Sequence, residues 1–290
     1  MSPDVAPVSV AIPTIGRAGG LEACLLSVSR CRPRAAEVLV VDQSGSERIA
    51  EVVDRFAGAG ASLVPCRGRG IGLAANTGLR AATRDIVLVT HDDCTVAPSW
   101  VGVGHDRMAA NPGAIVTGRV RASGDPRAVP STIEDPLPRD YSGRLSMGAL
   151  FANNMGLPSA AVISFGGFDE RFLTAAEDND LCYRWLRAGR RLLYESELVV
   201  WHHDWRSEDE LERLYVRYAR SQGMLYAKHL RRRDLKVLPF LARDLYEGVR
   251  ASAGGLLLRG RPRWADRRRG LVRGLPMGLL RGWRVFRNPP

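Results

Sequence analysis

Three short apolar runs, separated by stretches with helical spacing, set the frame of this chain. They are VSVAIP at Val8–Pro13, EVLVV at Glu37–Val41 and IVLVT at Ile86–Thr90. Continuous apolar runs of this length suit strands covered on both faces, and Leu21, Leu25 and Val28 recur at the interval of a covering helix over 20–31. The alternation predicts an α/β domain on a largely parallel sheet. Further helices are expected over 47–57 and 74–82, with a short strand over 62–65. The stretch 121–144, rich in Pro, Gly and charge, reads as a long surface loop. After it come a GGFDE turn at 166–170, a helix over 177–189 closed by Gly189, and two short strands at 191–194 and 198–201. Ser207 to Glu210 then matches a capping box that opens a long helix.

With 290 residues, 45% of them hydrophobic and 25% charged, the chain falls in the range of ordinary globular proteins, so disordered and fibrous classes are excluded. Its five cysteines are widely spaced without a CxxC pair, which fits neither a disulfide framework nor a zinc knot and points to a reducing compartment. No run approaches the length of a membrane-spanning helix and no secretory leader is evident, so a cytoplasmic location is expected. The net charge of +11 is unevenly placed: residues 1–230 carry 26 basic and 27 acidic side chains, whereas 231–290 carry 16 and 4.

Chemistry is concentrated where apolar runs end. Asp92 and Asp93 directly follow IVLVT and its next residue His91, which places two carboxylates at the carboxyl edge of a sheet, where open α/β folds bind ligands. A divalent cation relieves their repulsion, and hard oxygen donors suit Mg²⁺ or Mn²⁺ together with a substrate phosphate. A solvated turn is the alternative. Asp42 ends the run before, as a second edge carboxylate or a helix cap. Glu177, Asp178 and Asp180 open a helix whose dipole keeps carboxylates ionised, as a general base requires, or they simply cap it. His202 and His203 end another strand, as metal donors or packed residues, and no zinc-ligand spacing joins them to His91, His105 or His229.

A competing motif is Gly70-Ile71-Gly72-Leu73-Ala74-Ala75, which satisfies GxGxxA at the start of a helix with acids about 20 residues on. It would make the protein an NAD-dependent oxidoreductase. The motif follows two βα units instead of opening the fold, its preceding strand holds Pro65, and it leaves Glu177, Asp178 and His203 without a role.

Seven motifs in order resemble glycosyltransferase family 2, inverting nucleotide-sugar transferases of the GT-A fold. They are VAIPTIGR at 10–17, VVDQSGS at 40–46, GIGLAANTG at 70–78, IVLVTHDDC at 86–94, FGGFDERF at 165–172, EDNDLCYRWLRAG at 177–189 and WHHD at 201–204. The resemblance implies a mixed sheet flanked by helices, a catalytic domain over 1–205, and a nucleotide-sugar donor, UDP- or TDP-linked in preference. It implies that Pro13, Thr14 and Asp42 line the base pocket, with Arg17, Arg69 and Asn76 as further donor contacts. Asp92 would face the ribose, Asp93 would hold Mn²⁺ or Mg²⁺ on the diphosphate, and His203 would be an added metal ligand. Asp178 would be the general base and Glu177 its neighbour at a saccharide acceptor, which could be lipid-linked. In this chain His91 takes the first place of the family's acidic triplet, and Ala75 stands where a basic residue commonly precedes the motif asparagine, a contact Arg67 or Arg69 would supply. A binding protein that kept the fold without turnover is the non-enzymatic alternative.

The tail, 206–290, is expected to be a helical, basic extension. On a helical wheel Leu271, Val272, Leu275, Leu279, Trp283 and Phe286 fall on one side, with Arg273, Arg281 and Arg284 opposite, the pattern of a helix lying on an anionic membrane. Pro276 and four nearby glycines argue against one rigid helix. A peripheral place at the inner face of the cell membrane, or a homo-oligomer interface, follows as the expectation. Nucleic acid is not expected as a partner, since no recognition motif accompanies the basic run.

Overall fold

The computed structural model, which describes residues 4–126, 129–203, 206–257 and 264–287, lays the apolar runs side by side. Asp204 of the WHHD motif and the boundary expected at 205 lie outside those residues. The strands are β1 (Val5–Thr14), β2 (Arg34–Asp42), β3 (Ala61–Pro65), β4 (Ile86–Thr90), β5 (Cys94–Val96), β6 (Ile115–Ser123), β7 (Arg139–Asp140), β8 (Asn154–Pro158) and β9 (Leu192–His203). They form one mixed sheet in the order β3-β2-β1-β4-β8-β6-β9-β5, with β7 paired to β9. β1 runs parallel to both β2 and β4, while β8 lies antiparallel between β4 and β6. β9 in turn runs parallel to β6. The C-terminal ends of β1, β2, β4 and β9 therefore share one edge.

Helices α1 (Ala18–Ser29), α2 (Glu47–Arg55), α3 (Ile71–Ala81), α4 (Trp100–Ala109), α5 (Ser159–Ser164) and α6 (Glu177–Arg187) complete this part of the chain. Val10, Ile12, Val40 and Leu88 on the strands and Leu21 and Ile49 on the helices are fully buried in one apolar cluster. Burial of each such side chain is worth about 1.5–3 kcal/mol, which is what holds the edge in place.

In this part of the chain two expectations are corrected. The strands expected at 191–194 and 198–201 are the single strand β9, interrupted by a register shift against β6 after Gly118. Asn154 closes that bulge by donating to the carbonyls of Leu198 (2.8 Å) and Arg119 (2.9 Å). The stretch 121–144 is also more tied down than a free loop: its start extends β6, Ile133 bridges to Val120, and β7 pairs with β9.

The chain divides into two compact units, Met1–Glu170 with Glu177–Asp204, and Arg171–Ala176 with Trp205–Pro290. The short excursion of 171–176 into the second unit had no sequence signal. Helices α7 (Glu208–Arg231), α8 (Leu238–Leu257) and α9 (Trp264–Val285) make up most of that unit. The capping box forms, with the Ser207 side chain accepting from the Glu210 N–H and the Glu210 carboxylate reaching back. The α9 region departs from expectation, because the helix continues through Pro276. Its glycines are the reason it packs: Gly270, Gly274, Gly278 and Gly282 recur every fourth residue along α7. A Cβ on Gly274 would stand 2.6 Å from the Ala219 Cβ, one on Gly282 2.7 Å from the Met224 Cα, and one on Gly278 would overlap the Arg220 carbonyl. The backbones meet where only glycine fits.

The candidate active site at the sheet edge

Parallel register carries Thr14, Asp42 and Thr90 to the same edge, and the two residues after His91 turn their carboxylates inward there. Asp92 is 1% and Asp93 8% exposed. Thr14 Oγ1 donates to Asp92 Oδ2 at 2.7 Å and accepts from the Gly16 N–H at 3.2 Å. Arg17, just ahead of α1, donates from Nε to Asp92 Oδ1 at 3.0 Å. Its Nη2 contacts both Asp92 and, at 3.3 Å, Asp93 Oδ2. A Cβ on Gly20 would overlap the Asp92 carbonyl, so a glycine at this point of α1 lets the helix start directly against the aspartates.

The two carboxyls titrate in opposite directions. Burial raises Asp92, and Arg17 and Thr14 only partly offset it. Burial also opposes ionisation of Asp93, but there the hydrogen bond and charge of His202, followed by Arg17 and His91, hold the carboxyl well below its ordinary range. Of the two, Asp93 is the carboxyl whose surroundings favour the ionised form most strongly.

Of the two histidines, the one brought to the Asp93 carboxylate is His202, not the expected metal donor His203. Cys94 lies opposite His202 in the antiparallel β5–β9 pair, which puts these side chains on one face. His203 consequently turns the other way, to Thr95 Oγ1 at 2.9 Å, while its backbone N–H donates to the Asp93 carbonyl at 3.0 Å. His202 is 5% exposed, with Nε2 3.5 Å from Asp93 Oδ2 and Nδ1 3.3 Å from Asn153 Nδ2. Strand alternation was the signal that could have chosen between the two histidines. Among the described residues, Asp93, Cys94 and His202 bring donor atoms within 4.8 Å of one another. Burial and the Asp93 charge keep the Cys94 thiol protonated, which leaves the carboxylate and imidazole as the available pair. Asn153 Oδ1 is buried without a hydrogen-bond partner beside that imidazole.

The remaining predicted residues are distributed unevenly. Pro13 is buried near the end of β1. Asp42 is 5% exposed and closes the DQSGS turn, Oδ1 accepting from the Ser44 N–H (2.8 Å) and hydroxyl (2.6 Å) and Oδ2 from the Gly45 N–H (2.9 Å). Arg69 is exposed between Gly68 and Gly70, both at positive φ, on the loop leading into α3. Asn76 is not presented to the edge. Its Nδ2 donates to the Phe168 carbonyl (2.9 Å) and Glu170 Oε1 (2.8 Å), and its Oδ1 accepts from the Phe168 N–H (2.9 Å), which clamps the GGFDE turn.

Glu177 and Asp178 open α6 immediately after Ala176, whose φ of +73° is in the left-handed region. Glu177 is 2% exposed, and a Cβ on Gly72 would sit 3.3 Å from its own Cβ, so the second glycine of the GxGxxA motif makes room for this side chain. Burial, and then the Asp178 charge, push the Glu177 carboxyl well above its ordinary range, while its Oε2 has no hydrogen-bond partner. Asp178 is half-buried and accepts from the Asn179 N–H at 2.7 Å. Asp180 is fully buried against Arg184 Nε at 2.7 Å, and Arg184 donates onward to the Gly167 carbonyl at 2.6 Å, which fixes α6 to the GGFDE turn.

The dinucleotide reading does not survive this geometry, since Gly72 is filled by Glu177 and the motif follows edge strand β3. The model of the family "Glycosyl transferase family 2" matches residues 9–172. A Pre-mycofactocin glycosyltransferase of Mycobacterium tuberculosis is 30% identical over 209 residues, covering 67% of this chain and 42% of its own length. The chain thus spans less than half of that relative. The mannosyltransferase PcManGT of Pyrobaculum calidifontis, solved with GDP-Man and Mn²⁺, shares the fold with a TM-score of 0.65 at 19% identity, over 94% of this chain and 87% of that one. TarS 1-349 of S. aureus, solved with UDP, gives 0.58 at 14% identity, over 77% of this chain and 70% of that one. Family match and sheet edge agree: the chain belongs to glycosyl transferase family 2 and has the GT-A fold.

Proposed function

We propose that the protein is a metal-dependent inverting glycosyltransferase that moves a sugar from a UDP- or TDP-linked donor to a hydroxyl of a saccharide acceptor, lipid-linked in one form of the reading. The observation that carries this is the buried, ionised Asp93 beside His202 at the sheet edge. Structural relatives that hold GDP-Man with Mn²⁺, or UDP, support a nucleotide-sugar donor.

Asp93 and His202 would hold the cation, and the donor set fits one. Turning the Asn153 amide over would bring its orphan Oδ1 to His202 Nδ1, the acceptor that the other nitrogen of a metal-bound imidazole requires. Bound there, Mn²⁺ or Mg²⁺ supplies positive charge against the departing diphosphate. Arg17 already bridges Asp92 and Asp93, and Arg69 adds an exposed cation at the same edge for phosphate oxygens. Asp178 takes the proton of the acceptor hydroxyl as its oxygen bonds to the anomeric carbon, and the bond to the diphosphate breaks with its electron pair leaving on the nucleotide. Glu177, held neutral, can donate a hydrogen bond to the acceptor while Asp178 accepts the proton.

A thermal-shift screen of UDP-, TDP- and GDP-sugars with and without Mn²⁺ tests this, because a ligand of the native state raises the melting temperature. We expect one nucleotide sugar to stabilise the wild type only with metal, with the effect lost in Asp93→Ala. Asp178→Asn should keep the shift and lose about 10²–10⁴-fold in transfer rate. Stabilisation without metal, or full turnover by Asp178→Asn, overturns the metal or the base assignment respectively. A protein that binds donor but shows no transfer is a binding module.

A further inference from the structure

We infer that the exposed faces of α8 and α9 form a docking surface for an anionic lipid bilayer. This goes beyond the transfer reaction and is read without turnover. The face that matters differs from the one a helical wheel selects. Leu275 and Phe286 are buried, and the glycine stripe is covered by α7. The side left open carries Val272, Pro276, Leu280 and Trp283, spaced as one stripe, with Leu280 69% and Trp283 51% exposed. Arg284 lies exposed at its border, and Arg281 lies exposed farther round the helix. Helix α8 repeats the arrangement: Leu238, Leu245 and Val249 form a stripe, Tyr246 flanks it at 63% exposure, and Arg243 and Arg250 follow along its border.

Charge decides the occupant. Of the ten basic side chains described between 231 and 287, nine are exposed, whereas the three carboxylates described there, Asp234, Asp244 and Glu247, are all half-buried. Asp244 is turned inward to accept from the Tyr226 hydroxyl at 2.6 Å. A second copy of this chain would bring the same positive field against itself, and an apolar partner would leave the arginines unanswered. An anionic bilayer satisfies both halves: arginines meet lipid phosphates while the aliphatic stripes and the amphipathic Trp and Tyr rings enter the headgroup boundary. None of the described helices is long and apolar enough to cross a membrane, so the contact lies in the plane of the surface.

The test is co-sedimentation of the full chain with vesicles of phosphatidylcholine plus phosphatidylglycerol, against phosphatidylcholine alone, at moderate salt. Wild type should pellet with the anionic vesicles and weakly with the neutral ones. Arg281→Glu/Arg284→Glu and, separately, Leu280→Ser/Trp283→Ser should each weaken binding about tenfold or more, with unchanged far-ultraviolet circular dichroism. All four positions are exposed, so the fold should tolerate them. No binding by wild type to anionic vesicles overturns the proposal, as does binding that neither variant weakens. A dimer that dissociates in Leu280→Ser/Trp283→Ser and ignores vesicles assigns the face to a second copy instead.

Discussion

The sheet edge of the first unit and the α7–α9 pair of the second solve opposite problems. At the edge, charged groups are buried and each is positioned by a directional partner: Thr14 and Arg17 on Asp92, His202 on Asp93, Arg184 on Asp180. Between α7 and α9, position is set by volume, backbone against backbone at four glycines. Even the buried Lys228 of the second unit lies over the rings of Phe172 and Phe286, at 5.4 and 5.8 Å. A polar site needs its charges held within tenths of an ångström, and hydrogen bonds provide that. Helix pairing needs only a shape that no other residue can take.

The sharpest way to break the second arrangement is a single methyl group. Gly278→Ala puts its Cβ into the Arg220 carbonyl, and overpacking where backbone must move should cost about 3 kcal/mol. Gly148→Ala in the first unit, where a Cβ meets nothing within 4 Å, is the control and should change stability by under about 0.5 kcal/mol. Urea unfolding of both variants checks this. Equal effects at the two sites would mean that α7 and α9 do not approach as closely as their glycines allow.

The first unit should break through polarity instead. Asn76→Ala removes three hydrogen bonds and leaves the Phe168 N–H and carbonyl unpaired, at a cost of about 2 kcal/mol. Because the amide clamps the GGFDE turn, the donor-induced thermal shift of this variant should match that of wild type. A variant of unchanged stability that no longer responds to donor would return Asn76 to the nucleotide site.

These cases show which features the sequence could express. Apolar runs and the acids at their ends are local, so β4 appears at Ile86–Thr90 as expected, and the capping box at Ser207 needed only four residues. The choice between His202 and His203 depended on pairing with β5, more than 100 positions away, and only the alternation of side chains relative to Cys94 settles it. Asn76 looked like a donor ligand because its partners, Phe168 and Glu170, lie over 90 residues on. The glycines of α9 looked like helix breakers for the same reason. Their spacing of four was visible, but the helix that fills the groove was not.

The smallest effect would sharpen the comparison most, because it isolates one buried carboxyl. Unlike Asp93, Glu177 has burial and the neighbouring Asp178 both working against ionisation. In the unfolded chain it titrates near the ordinary glutamate value of about 4.3, whereas the folded protein keeps its proton to higher pH. Below that ordinary value both states are protonated and nothing is lost. Above it the folded state holds a proton that the unfolded state has released, so stability falls as pH rises, by at most about 1.4 kcal/mol per unit until the folded group ionises. Glu177→Gln is close in shape and neutral at every pH. Its stability relative to wild type should therefore rise as pH climbs above about 5, while the contributions of groups other than its coupled neighbour Asp178 cancel in the difference. Urea midpoints at pH 4, 6 and 8 measure it. A difference that stays constant across the series would show that Glu177 is ionised in the folded protein, and the neutral donor assigned to it at the acceptor would have to be withdrawn.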